Sequence, residues 1–535
     1  MKLNQNSRFS LTPAAVNMQR SILDRSSELL TTFNAAQIIP IYIDEILPGD
    51  SVKMKHVNSL IRMTTSVHPT MDRAYLDVYF FFVPSRLVWE NWEEFNGENP
   101  NPWIVNAPVH QIPQITLAAT DTTLGSIYDY MGIPVGYAGQ VNSLPFRAYN
   151  KVWNDWFRNT NLQSEIALPT GDTGDLSSYY ICRKATKFKD YFTSALPSPQ
   201  RSADVDIPLG TYAPVVTGPD HGLGNYGQTY LKFADPQDGL PVSAGVLGTI
   251  GTGQGQVFSS PSPSSATDYI APVNLWADLN QASAATINQL RLAFQTQKFY
   301  ERMGIATGGR YISVVKTMFG VTSPDYRLQR SEYLGGARQL INMTQVTQSS
   351  ETATTPLGSV AGQSVSRSQG CSFHKGFTEH GYILGVCVVR QKHSYQYGIN
   401  KMWSRKELLD FYWPTFAFIG EQAILNKEIY AQGTSVDNQV FGYQEAWAEY
   451  RYKPNQVCGY FRSGVTGSLE SWHYADKYTG LPTLGNTWIE ETDANINRTL
   501  AVQSGTHQFI GHFAFDCDWT RVMPVYSVPG LIDHF

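Results

Sequence analysis

Between Ala74 and Pro84 the chain reads AYLDVYFFFVP, and its hydrophobic positions do not alternate with polar ones. At period two, Leu76, Val78, Phe80 and Phe82 fall on one face. Tyr75, Tyr79, Phe81 and Val83 fall on the other, with Asp77 the single charge among them. A strand with one wet face alternates apolar and polar, so this strand needs cover on both sides. Pro84 ends it. Ser85 then stands where a helix cap belongs, Val88, Trp89, Trp92 and Phe95 form one stripe, and Gly97 suits a C-terminal cap.

Further strand-like runs lie at 35–47, 381–390, 442–452 and 507–519. The last alternates well, with Phe509, Gly511, Phe513, Phe515 and Cys517 against His512, Asp516 and Asp518. The runs are too widely separated for the even spacing of about 8–12 residues of a simple sandwich. They predict a mainly β protein, a sandwich with large insertions. Helical periodicity marks three segments. One has Ser143 as a cap, Pro145 in the first turn and Tyr149, Val152, Trp153 and Trp156 on a stripe. A second begins at Ser283, shows Ile287, Leu290 and Phe294, and stops at Gly304. The third, WSRKELLDFYWP, sets Ser404 and Glu407 at capping-box spacing and Trp403 and Leu408 as a staple, and Pro414 ends it.

Composition adds a constraint. Of 535 residues, 42% are hydrophobic and 13% aromatic, and only 16% are charged, against about 25% in ordinary globular proteins. Such a chain is expected to bury surface against other subunits as well as within itself; the competing reading is a large monomer with a Ser/Thr/Asn-rich surface. The net charge of −5 gives no global sign of nucleic-acid or membrane binding. The first residues have no apolar core of signal-peptide length, and no apolar run approaches the roughly 20 residues that span a bilayer. Cys182, Cys371, Cys387, Cys458 and Cys517 are scattered, with no CxxC, so neither a disulfide framework nor a cysteine zinc site is indicated. The chain reads as soluble and made in a reducing compartment. Between Arg201 and Arg291 the only Lys or Arg is Lys232, against seven aspartates, in a Gly/Ser/Pro-rich stretch. Embedded aromatics such as Tyr212, Tyr226 and Phe258 favour an ordered surface insertion over a flexible linker.

Catalytic chemistry finds no firm footing, and no cofactor is indicated. The P-loop, HExxH and GxSxG patterns are absent. Cys371, His374, Glu379 and His380 lie close together but lack metal-ligand spacing. Glu490, Glu491 and Asp493 read as solvated acids more readily than as a glycosidase pair. Nucleic-acid contact has a better local case. Arg183, Lys184, Lys187 and Lys189 interleave with Phe188, Tyr191 and Phe192, a pattern in which cations follow phosphates and rings stack bases. A half-exposed amphipathic segment would read the same way. Arg8, Arg20 and Arg25 make the N-terminal arm mildly positive.

Several blocks then carry a specific resemblance: NSRFS, NMQRSILDRS and TTFNAAQIIPIYIDEILPGDS near the start, MDRAYLDVYFFFVPSRLVWENWEEFNGEN, YFTSALPSPQ, LRLAFQTQKFYERMG, FGVTSPDYRLQRSEYLGG, and FDCDWTRVMPVYSVPGLIDHF at the end. In this order they resemble the major capsid protein of the Microviridae, in particular its gokushovirus branch. The resemblance implies a single eight-stranded antiparallel jelly roll with long loop and helical insertions. It implies an N-terminal arm at 1–34, a jelly-roll domain at 35–535, a variable surface insertion at about 207–272 and a C-terminal arm at about 522–535. It further implies self-assembly through pentamers into a small icosahedral virion around a circular single-stranded DNA genome, in the cytoplasm of a bacterial host. A small basic viral DNA-binding protein would assist, the insertion would meet a host surface receptor, and no part would enter a membrane. Under this reading Trp89, Trp92 and Phe95 serve core or intersubunit packing, and Pro524 and Pro529 stiffen an arm that clasps a neighbour. The alternatives are a secreted β-sandwich that binds or cleaves carbohydrate, which would need a signal peptide or convergent acids, and a DNA-binding regulator, which would need a basic domain and a reading helix.

Overall fold

The computed structural model describes residues 19–98, 109–203, 205, 215–217, 233–234, 271–272, 275–277, 287–305, 308–352, 356–501 and 507–526. Two antiparallel sheets form the main body. In one, β1 (Ser21–Asp24) and β2 (Ser27–Phe33) pair with opposite halves of the long strand Phe509–Arg521. That strand lies against Ser51–Met63, which in turn holds Ser366–Gly370 and Phe373–Gly376 along its far side. The other sheet runs Glu332–Ile341, Ala74–Pro84, Gly381–Gln391, Ile39–Ile46. In chain order the remaining strands are β3 (Ile39–Ile46), β4 (Ser51–Met63), β5 (Ala74–Pro84), β6 (Glu332–Ile341), β7 (Ser366–Gly370), β8 (Phe373–Gly376), β9 (Gly381–Gln391) and β10 (Phe509–Arg521). Each sheet is therefore four strands wide.

The sheets share one apolar core. Ile41 of β3, Val57 and Ile61 of β4, Phe80 of β5, Ile383 of β9 and Phe513 and Trp519 of β10 are buried in the same cluster. Tyr42 bridges the sheets, its ring 5.9 Å from Phe80 and 5.0 Å from Phe515. β5 and β9 pair along their whole length, from Pro84 opposite Gly381 to Ala74 opposite Gln391. At the middle of that ladder Gly385 faces Phe80, where a Cβ would come within 2.8 Å of both the Phe80 ring and Tyr42; only glycine fits there.

The second face of β5 is covered as well. Phe81 and Val83, with Tyr382, Leu384, Val386 and Val388 of β9, pack beneath an insertion that follows β5. Its helix α1 (Leu144–Val152) contributes Leu144, Phe146, Tyr149 and Val152. Ser143 precedes this helix without capping it: its hydroxyl donates to the Pro113 carbonyl at 2.8 Å, and Asn142 Oδ1 accepts from the Leu144 N–H instead. After Pro84 the expected single helix divides into a 3₁₀ turn (Ser85–Leu87) and a short helix (Trp92–Phe95). A third apolar cluster, with Phe192, Tyr395, Phe441 and Trp488, surrounds the hairpin of Glu421–Leu425 and Val440–Glu445. The run at 442–452 thus stops being strand at Glu445, where Trp447 adopts a left-handed φ of 65° and Ala448–Arg451 turns helical. β1 and β2 lie inside the segment 1–34 read as an arm, so that much of it is sheet; Phe33 alone in β2 is buried, too weak an alternation to signal a strand.

Residues Ser202–Tyr300 form a compact unit of their own. Within it Val215–Thr217 pairs with Leu275–Ala277, and Phe233–Ala234 with Ala271–Pro272, two nested antiparallel ladders. The rest of 207–272 lies outside the described residues, as does Ser283; the second expected helix is described as Ile287–Ile305. Among the described residues no helix is long and apolar enough to cross a membrane.

Phe80→Ala should destabilise the unassembled subunit by about 3–5 kcal/mol, because it empties the shared core. Leu30→Ala, on a side chain 79% exposed, should stay within about 0.5 kcal/mol. Denaturant midpoints of the two variants check the contrast.

Candidate assembly and nucleic-acid surfaces

Asp77 is the polar break in β5, and it is completely buried. Arg338, opposite it on β6, donates to Asp77 through Nε at 2.6 Å and Nη2 at 3.1 Å. Arg390 of β9 pairs with the same carboxylate. The Phe188 ring centre lies 4.6 Å from the Arg338 guanidinium and 4.3 Å from that of Arg390, with Tyr75 edge-on at 6.1 Å. One carboxylate thus holds two cations, and both approach one ring, an arrangement that cation–π attraction favours. Phe188 therefore serves the inside of the fold.

Lys187 is likewise engaged. It is buried, with Nζ 3.2 Å from Asp476 and 4.7 Å from the Trp488 ring centre. Asp476 also accepts from Tyr478 and Asn495, at 2.8 Å each. His393 bridges Asp476 at 2.8 Å and Glu491 at 3.1 Å, fully buried. Burial pulls the imidazolium down, but the two carboxylates outweigh it and raise His393 to about 10. Burial also pushes the Asp476 carboxyl up, and His393 and Lys187 more than reverse that, holding it well below the usual carboxylate range. Two cations and two anions balance in this cluster, as buried charges require.

The other basic residues divide by position. Arg183 is half-buried, where desolvation lowers its pKa, and Nη2 donates to the Tyr179 carbonyl at 2.9 Å. Arg25 pairs with Asp44 at 2.7 Å and stacks 4.7 Å over Trp519. Lys184, Lys189 and Arg20 are exposed; the backbone of Lys184 is pinned by Trp153 Nε1, which donates to its carbonyl at 3.1 Å. Arg8 lies outside the described residues.

Of the expected packing residues, Trp89 is in the second core, donating through Nε1 to Asp172 at 2.7 Å. Trp92 packs against that core, and Phe95 is part-exposed, its ring 5.2 Å from Trp89. Pro524 is exposed, and Pro529 lies outside the described residues. Glu379 pairs with Arg86 at 2.6 Å and His374 bonds Ser51 at 3.2 Å, so the Cys371–His380 stretch is tied into the fold. Glu490 accepts from Gln163 at 3.3 Å, while Glu491 faces His393; these acids do not converge on an open cleft. Asp77 was visible as the lone charge in an apolar strand. His393 and Asp476, 83 residues apart, carry no local signal that joins them.

A double-sheet sandwich whose conspicuous buried carboxylates are paired with cations of the same fold has the build of a structural subunit. The chain belongs to the phage capsid protein (F protein) family, whose model matches residues 13–531. It is 44% identical to capsid protein VP1 of Bdellovibrio phage phiMH2K over 99% of both chains. It is 40% identical to VP1 of Spiroplasma virus 4 over 96% of both, and 37% identical to VP1 of Chlamydia phage 1 over 98% of this chain and 97% of the other. These are gokushovirus-type members of the Microviridae. The chain is a structural component of a virion and not an enzyme, and the carbohydrate reading has no support.

His393 has its pKa raised from 6.5 to about 10, so its stabilisation is complete below about pH 6.5 and is lost as pH rises through about 10. His393→Gln should therefore be less stable than the parent at pH ~6.5, with the gap narrowing toward pH ~10. Urea midpoints of both proteins across that range would show it; a gap independent of pH would contradict the charged bridge.

Proposed function

We propose that the sandwich is an eight-stranded antiparallel jelly roll, and that copies of it close, by way of pentamers, into an icosahedral shell around a circular single-stranded DNA genome. The strand order carries this reading. Taking β1 with β2 and β7 with β8 as single lanes gives eight lanes in chain order. One sheet then reads 1-8-3-6 and the other 2-7-4-5, the order of two interlocked Greek keys. The family match over nearly the whole chain supports the shell.

Of the basic candidates, Lys184, Lys189 and Arg20 keep exposed side chains suited to phosphate contact, whereas Lys187, Phe188 and Arg25 are engaged within the fold. The net charge of −5 favours sharing DNA neutralisation with a small basic viral protein. The nested ladders of the Ser202–Tyr300 unit suit an insertion that leaves and returns at one place, and the single Lys or Arg of 202–290 suits an outward face that meets a host surface receptor. Residues 522–535, with Pro524 and Pro529, act as an arm on a neighbouring subunit. Assembly takes place in the cytoplasm of the bacterial host.

Electron microscopy of purified protein expressed with its genome, with nuclease protection on the same particles, tests this. Particles of uniform small size holding protected single-stranded DNA are expected, and a discrete monomer under all assembly conditions would overturn the shell. Lys184→Glu with Lys189→Glu should leave particle size unchanged and reduce protected DNA several-fold, the gap to the parent narrowing at higher salt. Unchanged protection would remove these lysines from the DNA interface. Exchanging 207–272 for the segment of a relative should move host range; an unchanged range would free the insertion from that role.

A further inference from the structure

The segment around WSRKELLDFYWP has helical spacing, yet it forms three separate turns: Lys401–Ser404, Leu408–Asp410 and Pro414–Phe416. The Asp410 carboxylate accepts from the N–H groups of Lys406 and Glu407, at 2.7 and 2.9 Å, and so turns the chain where a helix would have continued. Polar bonds fasten the segment. Trp413 Nε1 donates to the Leu408 carbonyl, and Trp447 Nε1 to the Phe416 carbonyl, each at 3.0 Å. Arg405 bonds Glu449 at 2.9 Å and stacks 4.4 Å from the Tyr450 ring centre. At the ends, Ile399 N–H donates to Lys427 and Ala446 N–H to Gly420.

Lys406, Glu407 and Asp410 are exposed, and between and after them the segment presents large apolar side chains to solvent. Phe418 is 98% exposed, Trp403 74% and Leu408 70%, with Leu409, Phe411 and Ile419 beside them in sequence and also exposed. At 150–250 Å² for a whole aromatic side chain, 399–419 exposes apolar area on the order of 1,000 Å². That matches the ~800 Å² that each partner contributes to a standard protein interface.

We infer that residues 399–419 form a strap that docks on a second copy of this chain; the inference rests on the shell-forming reading above. Its area is that of a stable interface, and its fastened backbone lowers the ordering cost of association. A nucleic acid fits it poorly. Lys401 and Arg405 both face Glu449, exposed Lys406 is outnumbered by exposed Glu407 and Asp410, and Leu408, Leu409 and Ile419 have no ring on which a base stacks. In a coat-protein family the surface repeatedly offered to each subunit is that of its own copies, and a strap meeting a different patch on the next subunit is the heterologous contact from which closed assemblies are built.

The test is the pair Leu408→Asp and Phe418→Asp in one chain, read by sedimentation velocity and electron microscopy, with a thermal melt of unassembled subunits. Both residues lie outside the three apolar clusters, so the melt should stay within a few degrees while shell yield falls at least ~10-fold. Phe418→Leu should restore assembly. Normal shells from the double variant overturn the inference, and so do normal shells that have lost only their DNA. A photoreactive phenylalanine analogue at 418 should give an intersubunit adduct in assembled shells, and its absence overturns the inference whatever the variant's folding. Failure of the parent protein to form shells at all would instead strike the shell-forming reading.

Discussion

Burial of β5 on both faces is the constraint around which the molecule is arranged. Its even side chains need the opposing sheet, and its odd ones need the insertion after Pro84. Neither cover is optional, because each leaves a row of large aromatics without a partner if removed. Asp77 is where this arrangement meets a charge. Arg338 and Arg390 reach it from the strands on either side, so the ion cluster also reports register. A slip of one residue in β6 would turn Arg338 to the opposite face and leave the carboxylate a partner short.

The stretch 182–192 has a consequence beyond charge. Ala185 sits in the insertion's core, Lys187 in the buried ionic cluster, Phe188 against the two arginines, and Tyr191 and Phe192 in the third core. Eleven consecutive residues thereby stitch three separately packed regions together. A segment in which aromatics and cations alternate can meet a nucleic acid or tie a protein to itself, and here its inner half does the latter.

Much of the fold was legible from side-chain period alone. β10 shows its buried face residue by residue, and β5 and β9 are apolar enough to announce double burial. β6, β7 and β8 are not: EYLGGARQLI and SRSQG are Gly- and Gln-rich edge segments whose pairing comes from backbone bonds to strands far away. The 401–416 segment misled because its helical spacing is real while Asp410 and Pro414 fold it into turns. The exposed lysines of the DNA candidate could not be told from Lys187, since exposure depends on Asp476 and Trp488, hundreds of residues away.

β10 lies at the centre of its sheet, with β1 and β2 on one side and β4 on the other. Its partner on β4 is made more than four hundred residues earlier, Met63 facing Phe509. At roughly 5–20 residues per second of synthesis, β4 waits tens of seconds for the strand that completes its sheet. A chain cut short before Phe509 lacks the middle of one wall of the sandwich and cannot present native surfaces to its neighbours. Placing a late strand at the centre thus makes folding a proofreading step, which keeps incomplete chains out of an assembly that one defective subunit would spoil.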